Sequence, residues 1–175
     1  EPMLNAIEEN CLRTERDNIH GIATDCPQRD ERMGWLNDAT VRFEEIPYHF
    51  DIGSLFPKIA DDIAAEQGED GEITDTAPFI FGGRPACPVC SSYLITAKET
   101  YLHSGDDSVI RKHYSGFAKW DGYLESRSDN GILTYCNWGD WASPSDCCGD
   151  VRDYDTVTDV LPRKTDTDIE FPRSS

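Results

Sequence analysis

Residues 24–39 read Thr24-Asp25-Cys26-Pro27-Gln28-Arg29-Asp30-Glu31-Arg32-Met33-Gly34-Trp35-Leu36-Asn37-Asp38-Ala39. Four carboxylates (Asp25, Asp30, Glu31, Asp38), two arginines and one indole fall within this short span. Pro27 and Gly34 break regular structure around them. Carboxylates accept hydrogen bonds from sugar hydroxyls, and an indole face stacks on the C–H-rich surface of a sugar. Two carboxyls across a glycosidic bond serve as general acid and base. The bland alternative is an ion-paired surface loop in which arginines merely neutralise acids. Composition alone leaves the two evenly balanced.

Outward from this stretch, helical periodicity recurs. Residues 3–18 place Leu4, Ile7 and Cys11 on one face. A helix over 36–45 should stop by Ile46, since the residue before Pro47 disfavours the helical well. Residues 51–67 bring Ile52, Leu55, Phe56, Ile59 and Ile63 together, with Gly68 as a stop and a regular start expected at Pro57. Residues 92–104 carry Leu94, Ala97 and Tyr101 and end at Gly105. Residues 107–126 follow Asp106 as N-cap and align Ile110, Tyr114, Phe117 and Leu124. Strand signal is thin, with one short strand expected in 131–137. Between the helices run long loops at 19–35, 68–91 and 128–150, rich in Trp, Arg, Asp, Gly and Pro. Loops of that length are functional or disordered, and this composition suits built surfaces at one end of a helical array. The segment 151–175 is polar and has no helical face.

Beyond residues 24–39, the match to a known family lengthens. Thr24 to Arg32, Gly34-Trp35 and Asp38-Ala39 closely resemble the signature of the family 78 glycoside hydrolases, the α-L-rhamnosidases. Gln67-x-x-x-Gly71 with Asp75-x-Ala77-Pro78 resembles that family's next loop. Tyr101-x-x-x-Gly105-Asp106 resembles the following hairpin, and Gly139-Asp140-Trp141 its G-D-W loop. The likeness runs from about residue 4 to residue 144 and is weakest over 82–92.

The resemblance implies an all-α fold, an (α/α)₆ barrel of six helical hairpins with the site at the loop end. About five helices of it are legible here. It implies inverting hydrolysis of terminal α-L-rhamnose from a glycoside or polysaccharide, with no metal or other cofactor required. By position, Glu31 is expected to be the general acid. Asp25, Arg29 and Asp38 are expected to hold rhamnose hydroxyls, and Trp35 and Trp141 to form apolar walls. Asp140 would orient its loop or touch sugar. Asp30, adjacent to Glu31, is the rival for the acid role. The family's general base lies in a later hairpin that this chain does not reach, and Glu170 has no matching motif. The expectation is a partial catalytic domain over 1–150 and a polar tail over 151–175, disordered or cut off in mid-domain. Read alone, the chain is either part of an enzyme or a non-catalytic remnant that binds sugar. A related six-hairpin glycosidase of other specificity stays open.

The resemblance departs at Pro85-Ala86-Cys87-Pro88-Val89-Cys90-Ser91-Ser92. The family tends to carry Trp near Cys90 and often Asp near Cys87, so weaker stacking of the sugar is expected here. Cys87-x-x-Cys90 is also a zinc or redox spacing. Further ligands or partners would come from Cys136, Cys147, Cys148, His103 or His113. The remaining cysteines, Cys11 and Cys26, bring the number to seven, which cannot all pair within one chain. Most are expected to be reduced, small apolar residues.

The charge bounds the partners. The 175 residues hold 34 acidic and 16 basic side chains, a formal net charge of −18. Such a chain repels nucleic-acid phosphate and anionic lipid. No apolar run approaches the ~18 residues of a membrane span. No basic-then-apolar signal peptide lies within the chain, and neither compartment nor oligomeric state is legible. The acids are mostly aspartate, 21 Asp to 13 Glu, and lysines number 5 against 11 arginines. High acid with scarce lysine suggests a protein adapted to concentrated salt, where self-repulsion is screened.

Overall fold

The computed structural model describes residues 1–136. Five α-helices dominate: α1 (Pro2–Asn18), α2 (Leu36–Arg42), α3 (Leu55–Glu66), α4 (Ser92–Ser104) and α5 (Ser108–Ser126). A 3₁₀ turn covers Ile46–Tyr48, and β1 (Ser128–Asp129) pairs antiparallel with β2 (Ile132–Leu133). No described helix is long and apolar enough to cross a membrane.

Helices α3, α4 and α5 pack on one another, and α2 packs on α4. The core is built where the sequence periodicity places it on α3. Phe56, Ile59, Ala60 and Ile63 are buried along one side, and Phe56 meets Phe43 with ring centroids 4.8 Å apart. Each of the Phe and Ile side chains contributes about 1.5–3 kcal/mol when fully removed from water. Ser54 is the N-cap of α3, and Pro57 lies inside its first turn. The helix therefore starts ahead of Pro57, because the missing proline N–H belongs to the first turn, where no intrahelical acceptor exists. Helix α4 ends as expected at Gly105, which adopts φ 73°.

Several faces differ from their periodicity. On α1, Leu4 and Ile7 are 60% and 53% exposed, and Glu15 and Asn18 are buried instead. An apolar stripe reports a preference for a partner, and within the described residues that stripe meets water. On α4 the buried side is Tyr93, Thr96, Ala97 and Thr100, with Leu94 and Tyr101 largely outside. On α5, Val109, His113, Trp120 and Tyr123 are buried and Tyr114 is exposed. Helix α2 stops at Arg42, earlier than Pro47 requires. The chain turns there so that Phe43 and Ile46 both enter the core, each fully buried. The expected strand in 131–137 is reduced to Ile132–Leu133. Asp106 helps start α5, its Oδ1 accepting the Ser108 N–H at 2.8 Å, while Asp107 is the N-cap residue and pairs with Arg111.

Candidate active site

The 24–39 stretch is anchored at its first residue. Thr24 donates its backbone N–H to the Asn18 carbonyl at 2.8 Å, at the end of α1. Its own carbonyl accepts from Arg42 Nη1 at 2.7 Å. Arg42 simultaneously grips Glu15 with two parallel bonds of 3.0 Å, through Nε and Nη2. A bidentate pair of this kind is geometrically specific. It ties α1 and α2 to the residue preceding Asp25.

From Asp25 the chain makes a loop closed by Asp25 N–H donating to the Met33 carbonyl at 3.2 Å. Arg32 turns it with φ 56°. The loop is then stitched to a second loop. Ala77 N–H donates to the Gly34 carbonyl at 3.0 Å, Leu36 N–H to the Asp75 carbonyl at 2.8 Å, and Trp35 bridges Thr76. Gly34 is required by closeness, since a Cβ there would stand 2.5 Å from the Ala77 carbonyl oxygen.

Asp75 organises the second loop. It is 1% exposed. Its Oδ2 accepts the Gly83 N–H and its Oδ1 the Cys87 N–H, both at 2.7 Å. Gly82 takes φ 113° and presses against Trp35, where a Cβ would lie 3.2 Å from the indole ring. Phe81, more than half exposed, meets Trp35 edge-on at 6.2 Å. Sequence reasoning missed Phe81; its signal was the apolar Phe79-Ile80-Phe81 run in an otherwise Gly-rich loop.

On this frame the carboxyls converge. Trp35 Nε1–H donates to Glu31 Oε1 at 2.7 Å. Glu31 Oε2 lies 3.9 Å from Arg29 Nη1, with the Glu31 side chain 25% exposed. The Cys26 thiol donates to Asp25 Oδ2 at 2.9 Å. Asp25 Oδ1 is buried and has no hydrogen-bond partner among the described residues. Asp38 keeps an open, solvent-facing side, yet its carboxyl is held above the ordinary aspartate value. Burial is the main cause and the Asp25 charge the next, with its own backbone N–H and Arg42 opposing and the Glu31 charge adding a smaller push. Five residues singled out from sequence, Asp25, Arg29, Glu31, Trp35 and Asp38, thus come together. Asp30 does not. Its side chain is fully exposed and faces Arg32 at 3.8 Å. Trp138, Asp140, Trp141, Cys147, Cys148, Glu170 and the whole 151–175 segment lie outside the described residues.

Among the described residues, one grouping of three potential metal ligands occurs: Asp25, Cys26 and Glu31, with ligand atoms within 4.8 Å of one another. The grouping is accounted for without an ion, by the bond from the Cys26 thiol to Asp25 Oδ2. A cysteine ligates as thiolate, whereas the Cys26 thiol is pushed up to about 11, by burial first and then by its bond to Asp25. Its proton is committed to that carboxylate. The Cys87-x-x-Cys90 pair does not act as one unit either. Cys87 Sγ faces Cys136 Sγ at 3.3 Å, and Cys90 Sγ faces Asp75 Oδ1 at 3.8 Å.

The four histidines and Trp120 have partners within the fold. His20 Nε2 bonds the Asp17 carbonyl oxygen at 2.8 Å. His49 lies between Glu8 and Glu45, and His103 beside Glu99. His113 is buried between Tyr93 and Asp61. Trp120 is fully buried, stacked on Tyr123.

Fold and site together define a helical-hairpin domain in which two stitched loops present carboxyls beside an indole. Comparison with known proteins gives the family. The model of the bacterial alpha-L-rhamnosidase 6 hairpin glycosidase domain matches residues 1–161. The α-L-rhamnosidases of Alteromonas sp. (strain LOR) and Streptomyces avermitilis are each 30% identical to this chain, over 144 and 146 residues. The matches cover 82% and 83% of the chain but 16% and 14% of those proteins. The structure of α-L-rhamnosidase from Dictyoglumus thermophilum superposes with a TM-score of 0.78 at 34% identity, covering 82% of this chain and 16% of that one. The Streptomyces avermitilis enzyme, solved with L-rhamnose, gives 0.75 at 30% identity, over 83% and 14%. The chain belongs to the bacterial α-L-rhamnosidase six-hairpin glycosidase family, and it spans about one-sixth of the length of the relatives it matches. Its helices are accordingly part of an (α/α)₆ barrel.

Proposed function

We propose that this chain forms the acid side of the active site of an inverting α-L-rhamnosidase, acting on terminal α-L-rhamnosides of a glycoside or polysaccharide. Glu31 is the general acid. It gives its proton to the glycosidic oxygen as the C–O bond breaks, while water adds to the anomeric carbon from the opposite face. The observation that carries this assignment is the Trp35 indole N–H on Glu31 Oε1. That bond fixes the carboxyl's orientation and leaves Oε2 3.9 Å from a partly exposed Arg29.

Asp25 and Asp38 accept sugar hydroxyls, Arg29 donates to them, and the Trp35 ring is the apolar wall. Asp25 Oδ1, buried and without a partner among the described residues, supports this role, because such an oxygen costs free energy until a hydroxyl reaches it. Trp141 and Asp140 join from the G-D-W loop. The base, a carboxylate roughly 6.5–9.5 Å away, comes from beyond this chain. Relatives named as rhamnosidases, one solved with L-rhamnose, support the substrate.

The share of relatives covered, 14–16%, favours a second reading for the isolated chain, a sugar-binding remnant without turnover. We read the excess of aspartate over lysine as salt adaptation of the surface. The test is an NMR assay of rhamnose release by the longer protein containing this chain, and by the chain alone. The first should release β-L-rhamnose initially, as inversion requires, and the second nothing. Initial α-L-rhamnose would overturn the inverting mechanism. Turnover by the chain alone would overturn the placing of the base.

A further inference from the structure

Residues 134–136 leave the β1–β2 hairpin and run beside the loop that Asp75 organises. The contact is built. The Tyr135 hydroxyl donates to the Ala86 carbonyl at 3.0 Å, and the Tyr135 ring meets Tyr123 edge-on at 6.4 Å. Both Tyr135 and Ala86 are buried. The next residue in each segment is a cysteine, and their sulfurs stand 3.3 Å apart. Cys87 is 3% exposed, whereas Cys136 is partly open to solvent. The backbone of Cys87 is itself held by Asp75 through a 2.7 Å bond.

We propose that Cys87 and Cys136 form an intramolecular disulfide by exchange with a small-molecule disulfide. It staples the wall behind the candidate site to the segment that leads to the G-D-W loop. A disulfide sulfur pair sits at about 2.05 Å, so closure needs about 1 Å of approach by side chains whose neighbouring residues are already bonded. Geometry selects Cys136 over the sequence neighbour Cys90. Cys90 Sγ is directed to Asp75 Oδ1, and Cys90 N–H closes a tight turn on the Cys87 carbonyl at 2.9 Å. Burial, first of all, also pushes the Cys90 thiol well up, which disfavours the thiolate that exchange requires.

With oxidised glutathione the step balances. The Cys136 thiolate, the accessible one, attacks the glutathione disulfide and expels one glutathione thiolate, which takes up a proton. The Cys87 thiolate then attacks the Cys136 sulfur of the mixed disulfide and expels the second. Two protein thiols lose two hydrogens, and one glutathione disulfide becomes two thiols. The closed ring encloses α4 and α5 entirely. A cross-link over a loop of that size restricts the unfolded chain and raises stability.

The experiment treats the folded 175-residue chain with oxidised glutathione and maps it by tandem mass spectrometry without reduction. The expected result is a loss of two hydrogens, a Cys87–Cys136 link, and a melting temperature several degrees above that of the dithiothreitol-reduced chain. Cys136→Ala should abolish the link and Cys90→Ala should keep it. The wild-type map stands by itself if a variant fails to fold. Unaltered thiols, glutathione retained on Cys136, or a link to Cys90 or any other cysteine would overturn the proposal.

Discussion

Two acidic loops lie against each other, and their carboxylates live differently. In the 72–87 loop, Asp75 is buried and both oxygens are occupied by backbone N–H groups of Gly83 and Cys87. In the 25–35 loop, Glu31 has one oxygen on the Trp35 indole and the other 3.9 Å from Arg29. Asp25 has one oxygen on the Cys26 thiol and one with no partner among the described residues. A carboxylate saturated by its own backbone is architecture. A carboxylate with spare lone pairs, held in place by side chains, is available to a ligand.

If the distinction holds, exchanging the two kinds of acid should have opposite consequences. Glu31→Gln in the longer protein should lower kcat on an unactivated rhamnoside by about 10²–10⁴-fold, the usual worth of a general acid. Its melting temperature should stay near wild type, as differential scanning calorimetry would show. Asp75→Ala should do the reverse in order of cause. It strands two buried amides and should cost about 3 kcal/mol of folding stability in urea titrations, with activity lost only as structure is lost. Gly34→Ala pushes a methyl into the Ala77 carbonyl and parts the two loops. A loss of about 1–3 kcal/mol is expected, again by urea titration.

Asp38→Asn should be mildly stabilising at neutral pH. The folded carboxyl is held above its unfolded value, so its charge opposes folding wherever it is ionised. The penalty is full above the raised value and fades as pH falls through it toward the ordinary ~3.9. The difference in melting temperature between variant and wild type should therefore shrink on acidification; a constant difference would contradict the cause assigned. The smallest effect concerns the acids outside both loops. A melting temperature that rises from dilute to molar KCl is expected, and an unchanged one would refute salt adaptation.

Much of this contrast was legible in the sequence, and what was not has physical causes. The five site residues that converge were marked by a motif whose order is chemically unusual. Helix α3 was marked by its apolar period, and α4 by Gly105. The Asp75 clamp was not legible, because a buried aspartate and a turn aspartate read alike until the amides of Gly83 and Cys87 are seen to meet it. The Cys136 partner of Cys87 lies 49 residues away, beyond any local spacing rule. Leu4 and Ile7 mislead for another reason. Periodicity shows that a face is apolar, and burial depends on a partner, which these two side chains do not meet among the described residues.

The most direct test of Glu31 as proton donor is the leaving-group dependence of Glu31→Gln in the longer protein. Rhamnosides should be compared, from one with a dinitrophenyl leaving group, which departs without a proton, to an alkyl one, which does not. Near-normal glycosidic cleavage is expected for the first and a loss deepening steadily toward the second. An equal loss on every leaving group, or normal hydrolysis of the alkyl rhamnoside, would contradict it.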